Sequence, residues 1–172
     1  MPKIPRAIVD DMIAHAIEEA AKTDEAGNDG IEACGLIHAK DGVPVAAHRI
    51  TNIRPSRFVY EMNGMEVEKH ERARDESGES LFAIYHSHVA SPAYPSATDR
   101  SSAFFPPLQR PDPEAIVGLA PEEIAFPDAD PERLMYPDSY YILVSLQHAE
   151  PSVRAYRIGG DALPVEYEVE IV

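Results

Sequence analysis

The sequence predicts an α/β fold, a mixed β-sheet flanked by helices. Three observations predict it. Stretches of helical and strand periodicity are interleaved along the chain. Two stretches, 81–85 (Leu-Phe-Ala-Ile-Tyr) and 140–146 (Tyr-Tyr-Ile-Leu-Val-Ser-Leu), are continuous apolar runs of the kind found in strands buried on both faces. Two others, 152–158 and 165–171, alternate as half-buried antiparallel strands do.

The elements follow in order. Over 5–22, Ile8, Val9, Met12, Ile13, Ala16, Ile17 and Ala20 share one face at helical spacing, with acids mostly opposite, so an amphipathic helix is expected. Asp24 to Gly30 is a polar loop with two glycines. Strands at 32–39 and 43–50 flank Asp41-Gly42, a strong hairpin signal. Residues 57–62 (Arg-Phe-Val-Tyr-Glu-Met) read as a further strand, and Asn63 as the N-cap of a charged helix over 64–76. Between 104 and 138 the pattern fails: that stretch holds eight of the sixteen prolines and eight acids. It reads as an insertion into a single domain spanning 1–172. The prolines and like charges predict a mobile flap.

Composition narrows the function. The chain of 172 residues is 44% apolar, enough for a core that folds without a staple, so any metal is expected to be catalytic. One cysteine, Cys34, rules out an intrachain disulfide and the Cys₄ and Cys₂His₂ zinc sites. Cys34 itself lies in an apolar strand and reads as core. The net charge of −15 argues against nucleic acid and anionic membranes as partners, and fits either simple solubility or a salt-rich cytoplasm. Met1-Pro2-Lys3-Ile4-Pro5 is followed by no apolar run, and no stretch approaches a membrane span, so a soluble cytoplasmic protein is expected.

The chemistry gathers after the buried run at 81–85. His86 and His88 are two residues apart, so at a strand end their side chains point the same way and can converge on one metal. Asp99, at the start of a helix, can bring a carboxylate to the same point. Two imidazoles and one carboxylate leave a fourth tetrahedral position for water, as in catalytic zinc. Their formal charge of about +1 with Zn²⁺ would bring the water's pKa to ~7. A separate carboxylate is then needed to carry its proton. There is a plainer reading. Ser96-Ala97-Thr98-Asp99 fits a capping box, in which both polar residues merely start a helix. Spacing alone leaves both open.

The segment His86-Ser87-His88, seven residues, Ser96, two residues, Asp99 resembles the signature of the JAB/MPN/JAMM metalloprotease family. Ile84-Tyr85 before it and Ser91-Pro92 within it also agree. A second segment, Glu32-Ala33-Cys34-Gly35-Leu36-Ile37, resembles the family's Glu-x-Cys-Gly-Leu strand and likewise follows an N-terminal helix. Thr51-Asn52, a later aromatic strand and the helix at 64–76 keep the expected order. The resemblance covers nearly all of the chain except 104–138, and it implies a fold related to the cytidine deaminases. It also implies one Zn²⁺ per chain on His86, His88 and Asp99, with Glu32 as the acid/base beside the zinc water and Ser96 as an oxyanion donor. Val89 departs from the proline that many members carry there.

The resemblance further implies cleavage of a peptide or isopeptide bond at the Gly-Gly tail of a ubiquitin-like or sulfur-carrier protein, as in bacterial stand-alone members that release cysteine from such a carrier. A catalytically silent protein-binding scaffold of the same fold is the alternative, but it would be expected to have lost a ligand or Glu32. A nucleoside deaminase needs a Pro-Cys-x-x-Cys pair, which a single cysteine excludes. His15 reads as solvated, and His38, His48, His70 and His148 lie in no ligand spacing. Five of the eleven arginines, Arg49, Arg54, Arg57, Arg72 and Arg74, lie within 26 residues. In the family this stretch borders the substrate groove. Arg72 and Arg74 are expected to pair internally, and Arg54 and Arg57 to meet the carrier.

Overall fold

The computed structural model describes every residue except Glu25. After a short strand β1 (Lys3–Ile4) come helix α1 (Arg6–Ala20), a hairpin of β2 (Cys34–Lys40) and β3 (Val43–Ile50), helix α2 (Gly64–Ser77) and β4 (Ser80–His88). Then follow the short helix α3 (Ala97–Ser102), β5 (Tyr140–Ser145), β6 (Ser152–Ile158), β7 (Pro164–Tyr167) and β8 (Glu170–Ile171). Six strands form one sheet in the order β3-β2-β4-β5-β6-β7. Every pairing in it is antiparallel except β4 with β5, which is parallel, so the sheet is mixed as expected.

Local chemistry accounts for most element ends. Asp41 (φ 51°) and Gly42 (φ 79°) both take left-handed conformations, the geometry a two-residue hairpin turn demands. Asn63 caps α2 by accepting from the N–H groups of Met65 and Glu66, and Gly78, left-handed, ends it. Two expected strands differ. Residues 57–62 form no strand; the only pairing there is an isolated bridge between Asn52 and Met62. The Asn52 side chain takes the backbone groups instead, accepting from Arg54 and Glu61 N–H at 3.0 Å each and donating to the Glu32 carbonyl. The stretch 165–171 is split, because β8 leaves the large sheet to pair in parallel with β1.

The two faces of the sheet bury different things. Ile37, Tyr85, Ile142 and Val144 point to α1 and pack on Ile8, Val9, Met12 and Ala16. Gly35 is needed on this side. A Cβ there would lie 2.3 Å from both the His48 carbonyl oxygen and the Tyr85 ring. The space lets the Tyr85 hydroxyl come within 2.9 Å of His15 Nδ1. His15 is therefore buried, not solvated, and burial, with Arg49 nearby, lowers its pKa. The other face carries Cys34, Leu36, Ile84, Tyr141 and Leu143.

Residues 104–138 pack onto this second face. Phe104, Leu108, Ile124 and Phe126 are buried in its core, so the stretch is a layer of the fold and not a free flap. Its fastener is Arg100. This side chain is fully buried and donates to the carbonyls of Ala162, Pro121 and Ile124 at 2.6, 2.7 and 2.6 Å. Its guanidinium also sits 4.9 Å from the centre of the Phe126 ring. Burial lowers its pKa without removing a charge that three carbonyls solvate. Among the described residues no helix is long and apolar enough to cross a membrane.

Arg100→Leu is expected to destabilise the protein by about 3–5 kcal/mol in urea unfolding, since it strands the buried Ala162 and Ile124 carbonyls that a charged donor now satisfies and removes a third bond, to Pro121. A loss below about 1 kcal/mol, the size of one ordinary hydrogen bond, would show that the layer is held by its apolar contacts alone.

Candidate metal centre

The site begins in the register of β2 and β4. Cys34 pairs with His86, and Ser87 N–H donates to the Ala33 carbonyl at 2.9 Å. The Ser87 hydroxyl accepts from Ala33 N–H at 2.8 Å, tying the two chains together once more. Carried two residues past Cys34, that register sets Glu32 opposite His88. Glu32 lies just before β2, not inside it as expected, held by a backbone bond to the Ser56 carbonyl and by Asn52. Period-2 geometry puts Glu32, His86 and His88 on the face away from α1. All three are buried.

Asp99 arrives from the other direction. Ser96 is the N-cap of α3: its hydroxyl accepts from Asp99 N–H, and Asp99 Oδ2 accepts from Ser96 N–H at 2.7 Å. The capping box therefore forms, and it does not exclude the other reading. The same Oδ2 lies 3.3 Å from His86 Nε2 and 3.5 Å from His88 Nε2, and the two Nε2 atoms are 3.2 Å apart. Zinc bonds of about 2.0–2.1 Å at tetrahedral angles separate neighbouring ligand atoms by about 3.3–3.4 Å, so the triangle fits that ion. Among the described residues this is the one group of three or more His, Cys, Asp or Glu side chains whose ligand atoms lie within 4.8 Å of one another.

What orients each ligand differs. His88 Nδ1 lies 2.7 Å from the Pro92 carbonyl, which turns Nε2 towards the site. His86 Nδ1 is buried with no partner among the described residues; Tyr60 stacks on this ring instead, 4.6 Å between centres at 28°. Sequence reasoning missed Tyr60 as a site residue, because it placed 57–62 in a strand. Its signal was an aromatic residue in the segment that Asn52 ties to Glu32.

The charges are coupled. Burial opposes ionisation of Asp99, but the imidazoles hold its carboxyl well below the usual range. Burial likewise opposes a charge on His88, yet Asp99 and the Pro92 carbonyl raise it. Burial pushes Glu32 up to about 8, and the Asp99 charge adds to the effect while His88 opposes it. Cys34, beneath them, is pushed up to about 12 by burial and nearby carboxylates, so it is a core thiol. Val89 packs against Gly30, where a Cβ would meet its Cγ1 at 2.6 Å. The residue in the family's proline position thus closes the loop before Glu32.

Other candidates sort by contact. Arg49 is bound to Asp11 and Glu18 at 2.7 and 2.8 Å. Arg72 pairs with Glu68, and Arg74 with Glu71 and Asp75, as expected. Arg54 and Arg57 have no ion pair among the described residues; Arg57 lies over the Phe58 ring. His38, His48 and His70 stack in sequence with 4.4 Å between successive ring centres, a packing arrangement and not a convergent ligand set.

The chain resembles known proteins over most of its length. It is 33% identical over 100 residues to a desampylase of Haloferax volcanii, covering 56% of this chain and 68% of that protein. It is 30% identical over 162 residues to a CysO-cysteine peptidase of Mycobacterium tuberculosis, covering 92% of this chain and 84% of that protein. A solution structure of a Desulfitobacterium hafniense protein superposes over the whole chain and 93% of its own length with a TM-score of 0.68 at 22% identity, a likeness of fold. Residues 5–158 match the model of the prokaryotic homologues of the JAB domain, and the chain belongs to that family.

Proposed function

We propose that the protein is a zinc-dependent hydrolase of the JAMM type that cleaves a peptide or isopeptide bond at the Gly-Gly tail of a ubiquitin-like or sulfur-carrier protein. The observation that carries this reading is the 3.2–3.5 Å triangle of two imidazole nitrogens and one carboxylate oxygen, with a buried Glu32 on the same face. The relatives' names, desampylase and CysO-cysteine peptidase, support a peptidase that acts on a conjugate of such a protein. Of the five clustered arginines, Arg54 and Arg57 are the two without an ion pair among the described residues, which leaves them for carboxylates of the carrier.

Zinc held by His86, His88 and Asp99 would polarise a water and the scissile carbonyl, and its charge would offset the Asp99 carboxylate that raises Glu32. Glu32 takes the water's proton and delivers it to the leaving amine, which lets the amide nitrogen depart neutral. The Ser96 hydroxyl accepts from Asp99 N–H through a lone pair, so its own proton stays free to donate to the carbonyl oxygen as negative charge develops there. Asp99 thus both ligates and holds α3 in register with that donor.

Freshly purified protein should contain one zinc per chain by elemental analysis. Asp99→Ala should lose it, while Glu32→Gln should keep the metal and lose turnover; zinc absent from the wild type would sink the assignment. Ser96→Ala should lower kcat by about 10²–10³, the usual effect of removing one oxyanion donor. It should also cost about 1 kcal/mol of stability as a lost N-cap, so kcat is measured well below the melting temperature.

Glu32 also gives a pH signature in the metal-free protein. A carboxyl whose folded pKa, about 8, exceeds its ordinary 4.5 favours folding while protonated. That contribution is complete below 4.5 and is lost as pH climbs through about 8. The Tm of metal-free Glu32→Gln minus that of wild type should therefore grow more positive from pH 5 to pH 9. A gap independent of pH would mean that Glu32 is ionised throughout.

A further inference from the structure

A cavity of about 380 Å³ opens beside the metal ligands, with Asp99 itself on its wall. The rest of the wall is mostly apolar and comes from separate parts of the chain. Tyr60 and Met62 come from the segment before α2, Val67 from α2, Tyr141 from β5, and Met135 and Tyr136 from the packed layer. Its only charged side chains are acids, Glu61 and Asp99. The Tyr141 hydroxyl is buried and has no hydrogen-bond partner among the described residues.

A Gly-Gly tail cannot account for this space. It has no side chains, and the first residue that does have one lies about 10 Å back along an extended chain from the scissile bond, at ~3.3–3.6 Å per residue. Where the scissile bond is a peptide bond, the first side chain on the amine side is attached next to the bond that breaks. A pocket walled by a metal ligand is placed for that side chain. Its apolar lining favours a group that gives up little hydration on entry, and Glu61, the carboxylate that no metal would offset, repels an anionic one. The unpaired Tyr141 hydroxyl is one of a few polar points in a mostly apolar wall, as in many small-molecule pockets.

We propose that this cavity is the pocket for the leaving residue, and that it selects a bulky, uncharged apolar side chain on the amine side of the scissile bond. The proposal rests on the hydrolase reading above and adds to it the class of leaving group. A small side chain such as that of alanine or cysteine would leave most of the cavity unfilled.

Two measurements test it. In the first, zinc-loaded protein is given peptides that differ only in the residue after Gly-Gly: Ala, Asp, Leu or Phe. Leu and Phe should exceed Ala in kcat/KM by about tenfold or more, since each methylene in an apolar pocket changes specificity by roughly that factor, and Asp should be poorest. Val67→Phe, which fills the cavity from α2, should bring the Leu-to-Ala ratio towards one. Rates indifferent to this residue, or following the residue before Gly-Gly instead, would overturn the proposal.

The second measurement does not need turnover. In Glu32→Gln carrying ¹³C-methyl methionine, leucinamide should shift the Met62 and Met135 resonances in a saturable way. Alaninamide at the same concentration should leave them in place. Shifts without hydrolysis of any peptide would support the pocket and count against the hydrolase; hydrolysis without selectivity or shifts would do the reverse.

Discussion

Strands β4 and β5 lie side by side and run the same way, so the chain must leave the sheet after His88 and travel back before it re-enters at Tyr140. A parallel pair cannot be closed by a tight turn. The crossover therefore has to cover a face of the sheet. It supplies Pro92, which orients His88, then Asp99, the carboxylate that meets the two imidazoles, and then the layer that buries Phe104 and Phe126. The candidate metal centre lies where the crossover departs, at the C-terminal end of β4. One pairing choice thus determines where a distant carboxylate can meet two strand histidines.

Once the crossover is in place, single groups serve two purposes. Asp99 Oδ2 accepts from the Ser96 backbone and lies within ligand distance of both imidazoles. The capping box is the physical reason this carboxylate points where it does: the helix start locks its rotamer before any metal is considered. Burying an acid costs free energy unless cations or donors surround it. Here the imidazoles and a backbone N–H do so, while Glu32, on the same face with fewer donors, is pushed the other way. Two neighbouring carboxyls are thereby pushed apart, one towards the anion and the other towards the protonated form.

The crossover layer also changes what a long acidic, proline-rich stretch means. Its prolines prevent regular helix, but Arg100 reaches in from α3 and binds the Pro121 and Ile124 carbonyls of the layer and the Ala162 carbonyl beyond β6. The layer then lends Met135 and Tyr136 to the cavity beside Asp99, so its packing shapes that space as well as the core. The acidic surface has a similar internal logic. Three of the five clustered arginines are taken by neighbouring carboxylates, and their spacing in sequence had overstated the positive charge on offer.

The sequence by itself determined the ordered elements with strong periodicity: α1, the Asp41-Gly42 hairpin, the Asn63-capped α2, and the buried runs that became β4 and β5. It also named His86, His88, Asp99, Glu32 and Ser96, because two motifs of fixed spacing carry them. Local signals such as caps, turns and alternation act within a few residues, so they survive without a three-dimensional context. Tertiary structure alone decided the rest. It placed Tyr60 over His86 because Asn52 captured the backbone of 51–63, which its aromatic residues would otherwise have made a strand. It buried His15 because Gly35 left room for Tyr85 to reach it. It folded 104–138 onto the core because Arg100, a charged residue that composition assigns to the surface, found its partners in segments some 20 and 60 residues away along the chain. Each of these outcomes depends on one side chain satisfying backbone groups remote in sequence, and no local pattern records that.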